Sequence, residues 1–580
     1  MDIHNLWVLE GKPQHGHIHL ERISVRAKYK KAVKDAQRAP KQEAWNRLHS
    51  AMSTNDTDNF WKSWRTLYAK NKTHLPPVVD GNSAKEVIAD SFRHNFETNA
   101  RPNNPQRVKD VDERFNLEYA TFTSSHDENC DCDGYNITIE NVFDAVMHLK
   151  KGKSSDDDDV SAEHFLNAPF VVFSALQHLF NAMLKHSFVP KQFMLGTIIP
   201  ILKDHHGNHG DINNYRGITI SPIASKIFEH LLSILFTSFL SSSPWQFGFK
   251  RKNSTLHAVY CLKETINYYV ENGSRVFCAF LDASKAFDRI IHSGLFLKLL
   301  EKGAPKVFID LIIHWYGNLW CRVRWDDSLS QWFCIRAGVR QGGILSPSFY
   351  SLYVDELISI LETMNVGCYV LEVFLAALLY ADDMALLAPS VKGLQLLLEK
   401  CSSYCLEWDI CLNAKKSKAM YFGKRCTKLF TLTVEDKPIE WVSAWDYLGV
   451  NIISGRRFGC SSKDRIKKFY RCANAIFRIE GRSDDLTMLR LVESHCVPIL
   501  TYGMEISHFS DDREKSKIRA AYNSLFRKIF VYRRTESVTD LQLTLARPTW
   551  EMLIETMKIG FYDRLSKTNA NSPVHIFAVV

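Results

Sequence analysis

The sequence predicts a mixed helix-and-sheet fold, α/β or α+β, and three observations carry that expectation. From about residue 184 to 453, short apolar runs alternate with longer amphipathic stretches, the pattern of layered sheets and helices. Val276 to Leu281 is a continuous apolar run, the mark of a strand buried on both faces. Two further apolar runs flank the pair Asp382-Asp383, as in a strand–turn–strand hairpin. The chain has 580 residues, of which 46% are hydrophobic and 24% charged, so it is neither disordered nor of low complexity. That length has room for roughly three to five units.

In chain order, the first 75 residues read as helical and basic. Nine Lys/Arg (22, 26, 28, 30, 31, 34, 38, 41, 47) face only Asp35 and Glu43, and the aromatics Phe60, Trp61, Trp64 and Tyr68 follow. Basic residues beside aromatics suit nucleic acid; they suit equally a solvated helical face with its rings packed inward. Pro76-Pro77 ends this stretch. Residues 100–135, rich in Asn, Pro, Asp and Thr, read as a linker or long surface loop. A helix is expected from Ile139 to Leu149. The run Asp156–Asp159 reads as a solvated loop rather than a cation site. Ser346-Pro347 reads as a helix start, with Ser at the N-cap and Pro at the first helical position. Leu352, Leu357, Leu361 and Met364 continue that helix, and Leu394, Leu397, Leu398, Cys401, Cys405 and Trp408 trace a second stripe. Beyond about residue 460 the chain is again helical and basic, with Lys463, Arg465, Lys467, Lys468 and Arg471 close together.

The formal charge of +9 leans toward a polyanionic partner. No run of about 18 uncharged apolar residues exists. The nearest, Val366 to Leu379, is broken by Glu372, which excludes a membrane span there. Met1 to Glu10 has neither the basic start nor the apolar core of a secretory signal. The 14 cysteines form no CxxC pair, which points to reduced intracellular thiols rather than structural zinc.

Chemistry concentrates at three aspartates. Asp282 stands at the exit of the buried run, and Asp382 and Asp383 lie between two strand-like runs. Burying carboxylates against apolar strands costs several kcal/mol unless positive charge offsets it. The trio therefore suggests a cluster holding hard cations, suited to two-metal phosphoryl transfer with Mg²⁺ ions about 3.5–4 Å apart. The bland alternative is an N-capping Asp282 and an ordinary turn.

Tyr380-Ala-Asp382-Asp383 resembles the catalytic box of reverse transcriptases, and an ordered series of motifs accompanies it. Thr197 to Lys203 and Asn214 to Pro222 resemble fingers motifs. Gln246-Phe-Gly-Phe249 with Ser254-Thr255 resembles the segment leading into the palm. Gly338 to Pro347 resembles the template- and nucleotide-contacting motif, Asn413 to Ser417 the palm lysine motif, and Tyr447-Leu448-Gly449 the primer grip. Ala286-Phe287-Asp288 and Trp445 to Gly449 are similar to the forms found in non-LTR retrotransposon (long interspersed element) polymerases.

The resemblance implies an α+β right-hand polymerase: an N-terminal helical extension and linker (1–135), fingers and an antiparallel-sheet palm (136–453), and a helical thumb with C-terminal region (454–580). It implies an RNA-directed DNA polymerase using an RNA template, a DNA primer, dNTPs and two Mg²⁺ ions, with Mn²⁺ as a substitute. Asp282, Asp382, Asp383 and the carbonyl of Ala283 would hold the metal. Lys203 and Arg216 would neutralise the triphosphate, although both could be plain surface charges. Phe287 would be the steric gate against a ribose 2′-OH, or a core aromatic. Gln341 and Gly342 would bound the nucleotide, with glycine permitting close approach. Lys416, or its neighbour Lys415, would protonate pyrophosphate. Tyr447, Leu448 and Gly449 would grip the primer. The basic stripe from Lys463 to Arg471 would track the template–primer duplex by shape and charge.

Three departures qualify the match. Asp156–Asp159 replaces a Gly-Pro-Asp-Gly-like turn, and Gly217 replaces a proline, loosening a rigid turn. Nothing before residue 180 resembles the endonuclease many such elements carry. A catalytically silent nucleic-acid-binding remnant is the alternative of another class. A group II intron maturase or telomerase-like polymerase shares the palm but lacks support in the flanks. An intracellular site, cytoplasmic and/or nuclear, is expected; the oligomeric state is left open.

Overall fold

The computed structural model describes residues 78–125, 134–204, 207–426, 429–478, 485–507, 512–568 and 572–579, with scattered positions between 16 and 76. The basic stretch Arg22–Arg47 and the aromatic stretch Phe60–Tyr68 fall, save a few positions, outside the described residues. The chain divides into two compact units. One comprises Pro76–Ile466, Leu500–Tyr522 and Thr539–Val580; the other comprises Met1–Leu75, Lys467–Ile499 and Asn523–Val538.

In the first unit, helix α1 (Lys85–Asn99) buries Ile88, Ala89 and Phe92. Helix α2 (Pro105–Ser125) occupies the stretch expected to be a linker. Its apolar stripe, Val108, Val111, Phe115, Tyr119 and Phe122, is helical in spacing but diluted by charged residues, which hides the period. Phe115 packs 5.6 Å from Phe296, so burial rather than propensity holds this helix.

Strands β1 (Leu195–Leu202) and β2 (Tyr215–Ile220) pair antiparallel. Gly217 lies inside β2 opposite Pro200, not in a turn. A Cβ there would meet Ile198 Cγ2 at 2.8 Å and the Phe96 ring at 3.1 Å, so packing demands glycine. The aspartate run is also not simply solvated. Asp156 is buried and accepts from the backbone N–H of Ile223 (3.1 Å), which starts helix α3 (Ile223–Leu235). Asp157 accepts from Thr197 and from Arg322 (3.1 Å).

Helix α4 (Thr255–Glu271) precedes β3 (Val276–Ser284), the central strand, and α5 (His292–Glu301) follows it. Strand β4 (Trp320–Trp325) returns parallel to β1. Helix α6 (Ser346–Thr363) begins one residue earlier than expected: Leu345 is the cap position and the Ser346 hydroxyl caps nothing. The carboxyl of Glu229 instead accepts from the N–H groups of Ile344 and Leu345, so a buried side chain from α3 satisfies the donors at the start of this helix. Strands β5 (Ala377–Tyr380) and β6 (Asp383–Ala388) form the expected hairpin. Helix α7 (Val391–Glu407) buries the second stripe.

Strand β7 (Lys418–Phe422), β8 (Leu432–Val434) and β9 (Lys437–Trp441) complete the main sheet, in the order β8-β9-β7-β3-β6-β5. All its pairings are antiparallel except β7 with β9. Strands β10 (Ala444–Tyr447) and β11 (Val450–Ile453) form a separate hairpin. Late segments return to α4: Tyr260 packs edge-on to Phe561 at 5.5 Å, and its hydroxyl donates to the carbonyl of Phe577 at 3.3 Å.

In the second unit, Leu489, Leu491 and Val492 are buried, and Lys528 Nζ sits 4.2 Å above the Phe477 ring. Lys467, Lys468 and Arg471 are exposed there; at the end of the first unit's Pro76–Ile466 segment Lys463 is exposed, whereas Arg465 turns inward. Among the described residues all cysteines are free thiols, and no helix is long and apolar enough to cross a membrane.

Candidate active site

Strand β3 buries Val276 through Leu281 and then delivers Asp282, with 34% of its side chain exposed. Strand β6 runs antiparallel beside it, with Asp383 opposite Asp282. Residues so opposed lie about 4.5–5.5 Å apart. The two-residue turn Ala381-Asp382 joins β5 to β6, with Ala381 in the left-handed region at φ 56°. Pairing and turn thus bring all three aspartates into one electrostatic neighbourhood. Burial, reinforced by Asp382 and Asp282, pushes the Asp383 carboxyl up to about 6. Asp382 is also raised, by burial first and then by Asp282, with Arg216 and Lys416 partly offsetting the rise. Lys416 Nζ stands 3.7 Å from Asp282 Oδ2.

Ala283 is buried and lies in register with Leu412. Among the described residues no three His, Cys, Asp or Glu side chains form a ready-made ion cage. The donor set nonetheless fits Mg²⁺, which takes hard oxygens and completes its shell with waters and substrate phosphates. The raised Asp382 and Asp383 record burial first and mutual repulsion second, both of which a bound cation would offset.

Several residues hold this geometry. Gln246 is fully buried. Its Oε1 accepts from the N–H of Ala381 (2.9 Å) and of Gly248 (3.0 Å). A Cβ on Gly248 would meet the Ala381 nitrogen at 2.4 Å, so only glycine lets the two segments touch. The N–H of Asn413 donates to the Asp282 carbonyl (2.8 Å), and Ser417 Oγ donates to the Asn413 carbonyl (2.8 Å).

The β10–β11 hairpin turns at Leu448-Gly449, both at positive φ (48° and 79°), as a type I′ turn requires. Tyr502 donates to the Leu448 carbonyl at 2.8 Å, and its hydroxyl lies 2.8 Å from that of Thr255. The Tyr447 ring packs 4.9 Å from Phe280. One cavity of about 140 Å³ is walled by Asp282, Asp383, Lys416, Tyr447 and Leu448 among others, so this hairpin and two of the aspartates share a space.

The remaining candidates form a second group. Lys203 donates to the carbonyl of Asn213 at 2.9 Å; burial and then Lys285, Arg216 and Lys416 lower its pKa. Arg216 is exposed on β2 and acts on Asp382 through its field. Gln341 Nε2 donates to Asp288 Oδ1 (2.8 Å), so its amide is committed away from the three aspartates. The Gln341 carbonyl accepts from Thr219 N–H (2.8 Å). Gly342 sits at φ 123°, where a Cβ would meet the Thr219 carbonyl at 2.7 Å. Phe287 is half-buried, stacked 4.9 Å from Tyr350 and edge-on to Phe249 at 5.8 Å.

Sequence reasoning missed Gln246, Glu229 and Lys285 as individual contributors. Gln246 carried a trace, since it opens the Gln246–Phe249 motif. Lys285, left-handed at φ 54° and bonded to Asn99 Oδ1 at 2.6 Å, was marked only by lying between Asp282 and Asp288.

Residues 202–452 match the family model described as reverse transcriptase (RNA-dependent DNA polymerase). The chain is 28% identical over 457 residues to a probable RNA-directed DNA polymerase from transposon BS of Drosophila melanogaster, covering 74% of this chain and 49% of that protein. It is 25% identical over 446 residues to the RNA-directed DNA polymerase from mobile element jockey of Drosophila funebris, covering 74% and 48%. The chain thus spans about half the length of the curated relatives it matches. Among solved structures, an apo telomerase from Candida tropicalis aligns with a TM-score of 0.34 and 15% identity, over 50% of this chain and 60% of that one.

Proposed function

The chain carries a reverse transcriptase domain of the non-LTR retrotransposon type, and from that premise we propose that it is an RNA-directed DNA polymerase. It would transfer nucleotidyl groups from dNTPs to the 3′-hydroxyl of a DNA primer annealed to an RNA template. The observation that carries this reading is the register of Asp282 against Asp383, with Asp382 at the adjoining turn.

Asp282, Asp382 and Asp383, with the Ala283 carbonyl, would hold two Mg²⁺ ions, or Mn²⁺ in their place. Once bound, such ions supply positive charge at the attacking hydroxyl and at the departing pyrophosphate. Lys203 and Arg216 neutralise the triphosphate. Phe287, braced by its stack on Tyr350, crowds a ribose 2′-OH and so favours dNTPs. Gln341 and Gly342 wall the nucleotide. Lys416 holds a proton for pyrophosphate, and Tyr447, Leu448 and Gly449 seat the primer end. In this reading residues 136–453 are fingers and palm, 454–580 thumb and C-terminal region, and 1–135 an N-terminal extension. Copying primed on chromosomal DNA requires access to the nucleus, so the working compartment is cytoplasm, nucleus or both.

The test is Mg²⁺-dependent primer extension on an RNA template, abolished by Asp382→Ala. A folded, template-binding chain that extends nothing across divalent-ion and salt conditions refutes the polymerase reading.

A further inference from the structure

The end of the main sheet remote from the three aspartates opens on a cavity of its own. Phe422, last residue of β7, pairs with Val276, first residue of β3. Asp282 lies six residues along β3, about 20 Å away at roughly 3.3 Å per residue. At the Val276 end opens a cavity of about 930 Å³ whose walls include Lys424, Arg425, Arg456, Tyr421 and Trp441 and, among the described residues, contain no Asp or Glu.

The three cations come from two loops that the fold ties together. Gly423 N–H donates to the Gly455 carbonyl (2.9 Å), and Ser454 Oγ donates to the Tyr421 carbonyl (2.6 Å). The Arg275 guanidinium donates to the carbonyls of Lys424 (2.9 Å) and Arg425 (3.4 Å), fixing that turn and adding a fourth positive charge. Among the described residues no ion pair engages Lys424, Arg425 or Arg456; Glu271, beside the lining residue Val270, is taken by Arg457 at 3.9 Å. The Trp441 indole is held by its N–H to the Phe430 carbonyl (3.0 Å), with its ring 6.5 Å from that of Tyr421. Fixed rings beside unpaired cations are what stacking of unpaired bases and contact with their phosphates require. A duplex hides its base faces, and an acidic peptide has no use for the rings.

We propose that this groove binds a stretch of single-stranded polynucleotide, with phosphates on Lys424, Arg425 and Arg456 and bases against Trp441 and Tyr421, separately from the aspartate site. The full chain is titrated by fluorescence anisotropy with labelled 12-mers of oligo(U) and oligo(dT) over a range of salt, with excess template–primer hairpin occupying the aspartate site. The exposed-residue variant Lys424→Ala/Arg425→Ala/Arg456→Ala is compared with wild type. Three phosphate contacts at about 0.7 each predict a log–log salt slope shallower by about 2 in the variant, with affinity at least tenfold weaker. A 5-iodouridine oligomer should crosslink to Trp441 or Tyr421. Preference for oligo(U) assigns the groove to RNA; equal binding assigns it to single strands of either sugar. An unchanged slope, crosslinks confined to other segments, or selective binding of polyglutamate in place of the oligomers overturns the proposal. Binding is read directly, so a chain that extends no primer yet crosslinks at Trp441 refutes the polymerase reading and leaves this one standing.

Discussion

Replacing Gln246 with alanine removes the support beneath the turn that presents Asp382 and Asp383. The wild-type oxygen accepts from two backbone N–H groups, those of Ala381 at 2.9 Å and Gly248 at 3.0 Å. Ala381 is only 8% exposed, so water is a poor replacement. Each buried donor left unsatisfied costs about 1–3 kcal/mol, so the pair costs roughly 2–6 kcal/mol, concentrated at this hairpin. Ala381 also holds a left-handed backbone that only its surroundings enforce, so the turn relaxes once released. A shift of about 1 Å at reacting groups costs about a hundredfold in rate. In Mg²⁺-dependent primer extension at saturating template–primer, kcat should therefore fall about a hundredfold. Template–primer affinity should change by less than about threefold, because the enclosed Gln246 side chain offers no surface to the duplex, and the melting temperature should drop. Gln246→Glu, which keeps the accepting oxygen, should fall between. A Gln246→Ala chain that extends at the wild-type rate with an unchanged melt would refute the idea that this clamp positions the aspartates.

Three further outcomes are expected. Burial, reinforced by Asp382 and Asp282, pushes the Asp383 carboxyl up to about 6 from an ordinary 3.8. The metal-free native state then binds the extra proton between those values, and stability falls as pH rises from about 4 to 6. Metal-free melts across that window should show the slope and a shallower one in Asp383→Asn, the remainder coming from carboxyls such as Asp382 that are also raised, while extension should fade as pH drops below about 6. Lys416→Ala should lower kcat by about 10²–10⁴, as loss of a general acid does, and Lys415→Ala by no more than a few-fold, in single-turnover extension. Phe287→Val should narrow discrimination against NTPs by roughly 10- to 200-fold, the range that one crowding group commands, in paired dNTP and NTP incorporation assays.

The sheet and its hairpin were legible in the sequence because their burial is regular. Val276 through Leu281 are all buried, and Leu394, Leu397, Leu398, Cys401, Cys405 and Trp408 are each at most 2% exposed. Helix α2 was hidden because only Val111 and Phe115 of its 21 residues are buried. Glu229 and Gln246 were illegible for another reason. Each satisfies backbone donors of a segment 115 or 135 residues away, and no local pattern records such a debt. Asp156 and Asp157 looked like a charge run for the same reason, since their partners Ile223, Thr197 and Arg322 are remote in sequence.

The contact of Tyr260 with Phe561 and Phe577, and of Leu448 with Tyr502, bears on how such chains can be recombined. The family match stops at residue 452, yet one face of α4 and the tip of the β10–β11 turn are completed by residues beyond it. A chimaera spliced at that boundary with a relative's downstream sequence would join two halves of one packing surface from different parents. The matched motif series and the compact unit have different edges, and exchange of this region must carry Leu500–Tyr522 and Thr539–Val580 with it.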